Sequence, residues 1–136
     1  MSIRLPLPTA LRLLMLAVFL VGATMISRTA EAGAFHLHLK RAEPGINDTV
    51  AVAPKVIRLW FTERPEVAVA RVELRGPGGV VVAVARPTID AGEDAPLTAV
   101  VTGAVAPGAY TVLWRAMSPD GHAMRGSFGF LFRPGK

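Results

Sequence analysis

From Lys55 onward the apolar side chains of this sequence mostly alternate with a period of two, and no convincing helical period appears. The segments KVIRLWF (55–61), VARVELR (69–75), VVVAVAR (80–86) and LTAVV (97–101) are rich in β-branched residues and mostly alternate apolar with polar, the pattern of half-buried strands. Pro65, the GPGG of Gly76 to Gly79, Pro87, Pro96 and the APG of Ala106 to Gly108 stand between them as turn residues. AYTVLWRAM (109–117) and GSFGFLF (126–132) add two strands, and an opening strand around His36 to Arg41 brings the expected number to about seven. Short strands at this spacing predict an all-β sandwich or Greek-key barrel. Trp60, Phe61, Trp114, Phe128, Phe130 and Phe132 lie in strand patterns and are expected in the core. Tyr110, directly after PGA, occupies a tyrosine-corner position, its ring in the core and its hydroxyl on a nearby backbone carbonyl.

The first 34 residues follow another rule. Arg4 and Arg12 precede an apolar run from Leu13 to Ile26, and the small residues Ala30, Ala32, Gly33 and Ala34 come next. A charged start, an apolar middle and a small-residue cleavage site are the marks of a secretory signal peptide, expected over residues 1–34. The run is short for a membrane anchor, which needs roughly 20 apolar residues. Residues 35–136 then form one exported domain, a size with no room for a second core.

That domain carries 12 Lys and Arg against 9 Asp and Glu, a net charge of +3. Its basic residues are scattered singly among apolar neighbours, including Lys55, Arg58, Arg71, Arg75, Arg86 and Arg115, and no basic run marks a nucleic-acid footprint. The chain has no cysteine, so neither a disulfide nor a thiolate ligand is available. A metal site would have to use His, carboxylate, Met or backbone groups.

All three histidines fall in two places: His36 and His38 at the start of the domain, and His122 in SPDGHAMRG near its end. In an extended strand His36 and His38 face the same side, and Asp120 and His122 share that i, i+2 spacing. A sandwich whose first strand lies beside its closing hairpin would gather imidazoles and a carboxylate into one cluster. Such nitrogen and oxygen donors suit zinc, copper, nickel or iron, and copper heads the affinity order among divalent first-row ions. No nucleophile with a partner base, no phosphate-cradling glycine loop and no paired catalytic carboxylates stand out, so no enzyme activity and no catalytic residue is expected.

HLHLKRAEP (36–44), LWFTE (59–63) and PGAYTVLWRAMSPDGHAMRGSFGF (107–130) resemble the CopC family of periplasmic copper-binding proteins, and the likeness extends over residues 35–133. The resemblance implies an immunoglobulin-like Greek-key β-barrel that binds Cu(II). Its ligands would be His36, Asp120 and His122, with His38 as an accessory ligand and Glu63 orienting a ligand or a water beside them. It further implies a monomer in the periplasm that sequesters copper or delivers it to a separate, CopD-like polytopic membrane protein.

Two features depart from the family. The domain has only Met117 and Met124, too few for the thioether cluster that holds Cu(I) in some members, so no Cu(I) site is expected. Cleavage after Ala34 would leave the free amine on Phe35, about 3.5 Å of chain upstream of His36, whereas the family arrangement places it on the histidine itself. The alternative to copper binding is a metal-free immunoglobulin-like interaction module of the cell envelope, since sandwich domains host many unrelated roles. An oxidative enzyme of the polysaccharide monooxygenase type, which also holds copper at an N-terminal histidine, is disfavoured because it needs an extended polymer-binding face, whereas Tyr110 and both tryptophans are expected in the core.

Overall fold

The computed structural model describes residues 37–135. The expected signal peptide over residues 1–34 and the candidate ligand His36 lie outside the described residues. Among the described residues nine strands form two sheets: β1 (Leu39–Glu43), β2 (Thr49–Val50), β3 (Val56–Phe61), β4 (Arg71–Arg75), β5 (Val81–Val82), β6 (Thr88–Ile89), β7 (Leu97–Val100), β8 (Gly108–Met117) and β9 (Ala123–Phe132). One sheet has the order β1-β3-β7-β6 and the other β2-β9-β8-β4-β5. The chain therefore passes repeatedly between sheets, as an immunoglobulin-like sandwich requires.

Alternation decides which residues fill the space between the sheets. Ile57 and Leu59 of β3 and Leu97 and Ala99 of β7 point inward from one side. Val72 and Leu74 of β4, Tyr110 and Val112 of β8, and Phe128, Phe130 and Phe132 of β9 meet them from the other. Every one of these pairs is separated by two residues, so a one-residue slip in register would turn the whole set to solvent. The seven expected strands are all present. β2 and β6 are additional, and the expected strand over 80–86 is reduced to β5 plus an isolated bridge from Val84 to Val101.

The tyrosine corner forms as expected. The Tyr110 hydroxyl donates to the Ala106 carbonyl at 2.6 Å, and its ring stacks on Phe130 with centroids 5.2 Å apart. Trp60 departs from expectation, because it faces outward from β3. There the Arg41 guanidinium, its cross-strand neighbour on β1, covers the ring at 3.7 Å from the centroid.

Candidate metal centre

The β8–β9 hairpin is the longest paired unit of the molecule, ten residues on each side, and its loop carries the tail motif. Pro119 follows Ser118 in the loop; the Gly121 amide bonds the Ser118 carbonyl at 2.9 Å, and the Ser118 amide bonds the His122 carbonyl at 3.0 Å. Gly121 has φ +89°, a conformation open to glycine at little cost, which explains the glycine of DGH. Asp120 and His122 thus sit in a closed turn. The extended-chain reading of their i, i+2 spacing is replaced by a turn that brings them into contact.

Within the loop, the buried Ser118 hydroxyl donates a short hydrogen bond to Oδ1 of Asp120. The His122 amide lies 3.4 Å from the same oxygen, and His122 Nδ1 stands 2.8 Å from Oδ2. These bonds stabilise the ionised carboxylate, the Ser118 hydroxyl foremost and His122 next, and lower the Asp120 pKa from 3.8 to about 2. A carboxylate that is ionised at neutral pH can only accept, so Nδ1 of His122 is the donor in this pair. Carboxylate–imidazole pairs of this kind fix both tautomer and ring orientation in metal sites. Ser118 stood in the quoted motif with no role assigned. A serine two residues before an aspartate, across a proline, was the available signal.

The start of the domain reaches the same end of the sandwich through residues 62–66. Leu37 is fully buried and anchors the entering chain, while the next residue, His38, is exposed. The His38 amide donates to Thr62 Oγ1 at 2.9 Å, and the Thr62 amide donates to the His38 carbonyl at 2.9 Å, extending the β1–β3 ladder. Four residues further, the Glu66 amide bonds the carbonyl of Met117, the last residue of β8. Four residues of chain reach at most about 14 Å, so His38 and the 118–122 loop are tied to opposite ends of one short tether.

Glu63 lies on that tether. It is half-buried, and its Oε1 is buried with no hydrogen-bond partner. Such an oxygen is an acceptor that a water or an ion beside it would satisfy. The imidazole of His122 and the ionised carboxylate of Asp120 are donor types that bind divalent ions. No group of three or more His, Cys, Asp or Glu side chains that could hold a metal occurs among the described residues.

A family model described as the CopC domain matches residues 39–133. This chain belongs to the CopC family. The crystal structure of CopC from Methylosinus trichosporium OB3b superposes with a TM-score of 0.68 at 30% identity, covering 74% of this chain and 97% of that one. PcoC, a methionine rich copper resistance protein from Escherichia coli, superposes with a TM-score of 0.64 at 28% identity, covering 72% of this chain and 99% of that one. Protein YobA of Escherichia coli (strain K12) is 30% identical over 95 residues, 70% of this chain and 77% of that protein.

Against a methionine rich relative, this CopC domain is thioether-poor. Met117 and Met124 are the two methionines among the described residues. The register pairs Met117 with Ala123 and Ala116 with Met124, which puts the two thioethers on opposite faces of the hairpin. They cannot share one soft cation.

Proposed function

We propose that this protein binds Cu(II) in the periplasm through His36, Asp120 and His122, and holds it for sequestration or for delivery to a membrane copper transporter. The observation that carries this reading is the Ser118–Asp120–His122 array, which keeps an ionised carboxylate and an imidazole in contact on an exposed loop; for both to ligate one ion, the Nδ1–Oδ2 hydrogen bond gives way and the pair turns to face it. The side chains of His122 and Asp120 are 67% and 57% exposed, which suits an ion that must be handed on. His38 and Glu63 stand on the chain tethered to that loop and serve as accessory groups, Glu63 orienting a water or a ligand. The donors are nitrogen and oxygen only, which favours the cupric over the cuprous ion. The protein acts by binding, without turnover, and a CopD-like membrane protein is the fitting recipient. Export rests on the leader-like residues 1–34.

Titration of the metal-free exported protein with Cu(II), followed by electron paramagnetic resonance, tests the reading. One equivalent should enter a tetragonal site with nitrogen hyperfine structure. His122→Ala, Asp120→Ala and His36→Ala should each weaken uptake tenfold or more. Uptake unchanged in all three would sink the proposal and favour the metal-free module.

A further inference from the structure

Alternation along β4, β8 and β9 also decides what their sheet shows to solvent. Arg71 of β4 pairs directly with Arg115 of β8, and Arg115 pairs directly with Arg125 of β9. Three guanidinium side chains therefore occupy one rung across three neighbouring strands, all of them exposed. Like charges directly opposite each other on a sheet repel. None of the three takes part in the ion pairs found among the described residues, Arg58–Glu43, Arg75–Glu73 and His122–Asp120. Glu73, one rung away, is held by Arg75 Nε at 2.5 Å. A fourth arginine converges on the place: Arg86 Nη2 donates to the Ala68 carbonyl at 2.9 Å, and Arg71 Nη1 donates to the Ala70 carbonyl at 2.7 Å and reaches the Ala68 oxygen at 3.4 Å.

The three arginines border an open depression of about 450 Å³ whose lining includes Glu73, Leu113 and Ser127. We propose that this rung is a binding site for a diphosphate-sized oxyanion. Guanidinium groups match phosphate oxygens in a planar, two-point geometry that ammonium groups cannot reproduce. Strands 4.7–4.9 Å apart spread three arginines over roughly 10 Å, more than one phosphate spans, so a ligand with two linked or adjacent phosphate groups engages the whole rung. The repulsion within the rung is then relieved on binding. The phosphate groups can belong to a soluble diphosphate or to neighbouring anionic lipid headgroups. This site does not depend on copper.

Calorimetric titration of the metal-free exported protein with inorganic pyrophosphate at low salt tests the proposal. Saturable binding is expected, weakened tenfold or more in Arg115→Gln and changed less than twofold in Arg58→Gln, which removes the same charge from the other sheet. Pyrophosphate should raise the melting temperature of the wild type and leave that of Arg115→Gln unmoved. Without anion, Arg115→Gln should melt no lower than the wild type. Sedimentation with phosphatidylglycerol vesicles, against phosphatidylcholine vesicles, separates the sources: arginine-dependent retention on the former alone assigns the phosphates to lipid. Equal binding of both probes by wild type and Arg115→Gln, or binding of neither by the wild type, overturns the site.

Discussion

Oδ2 of Asp120 accepts a hydrogen bond from Nδ1 of His122 across 2.8 Å, and Oδ1 of the same carboxylate is taken by the Ser118 hydroxyl. Both oxygens are engaged within the loop, which is thus built around a charged carboxylate; on the proposed function, that leaves less to order on binding an ion.

The first prediction concerns that charge. The Asp120 pKa is lowered to about 2, with the Ser118 hydrogen bond as the leading cause. Because the folded value lies below the unfolded one, the group contributes stability at pH values above about 4, and that contribution is lost as pH falls from about 4 towards 2. Carboxyl carbon shifts followed by NMR should show Asp120 titrating near 2 in the wild type. In Ser118→Ala the midpoint should rise towards 3.8, and the acid unfolding transition should begin at higher pH. An unmoved midpoint would show that the serine does not hold the carboxylate.

Glu63 gives a second prediction, with a graded outcome. Its buried Oε1 has no partner within the described chain, on a segment hydrogen-bonded to both His38 and β8. If it orients a water or a copper ligand, Glu63→Gln should lower Cu(II) affinity by about ten- to a hundredfold, the range found for groups that support metal ligands. The spectrum of the bound ion should keep its nitrogen hyperfine pattern. An affinity unchanged within twofold would make Glu63 a purely structural residue.

The strands were legible in the sequence because alternation reports burial directly, as Ile57 and Leu59 or Phe128, Phe130 and Phe132 show. β2 and β6 were not, because two residues cannot display a period. The segment VVVAVAR read as one strand, but Val82 pairs with β4 whereas Val84 bridges Val101 beyond the other sheet, so the segment is a crossing between sheets. Trp60 looked like core, and composition gave no warning that Arg41 would cover it from outside. At the candidate site, residue types were readable and geometry was not: Asp120 and His122 meet through a turn set by Pro119 and Gly121, and Ser118 fixes the carboxylate. The arginine rung was hidden for the same reason. Arg71, Arg115 and Arg125 look isolated along the chain and become neighbours only through strand register.

The tyrosine corner yields a third prediction. Tyr110→Phe keeps the ring on Phe130 and removes only the bond to Ala106. A hydrogen bond of this kind contributes about 1 kcal/mol. For a domain of this size, thermal melting should therefore fall by roughly 4–8 °C. Copper binding should be unaffected, since the corner holds the β7–β8 connection and touches no candidate ligand. A loss of copper affinity in Tyr110→Phe would mean that the connection and the site are coupled.

Gly126 supports the last prediction. It sits directly opposite Trp114 in the β8–β9 register, and a Cβ placed on it would fall 2.6 Å from Cζ2 of the indole. Trp114 in turn meets Phe61 of β3 edge-on, with centroids 5.2 Å apart and planes at 72°. This contact joins the two sheets at the end where β3 leads into Thr62 and Glu63. Gly126→Ala must move the indole or the strand, since the colliding atom belongs to a rigid ring. Overpacking of this kind costs about 1–3 kcal/mol. Displacing the ring would also loosen Phe61, and with it the start of the tether between His38 and the 118–122 loop. Gly126→Ala should therefore lower the melting temperature and change the tryptophan fluorescence. It should also weaken Cu(II) binding, although it changes no donor atom. Replacing Trp114 with Phe in the same protein should recover part of both losses, because the smaller ring leaves space for the added methyl. Failure of that second substitution to restore either stability or copper affinity would place the damage in the backbone of β9 rather than in the packing of Trp114.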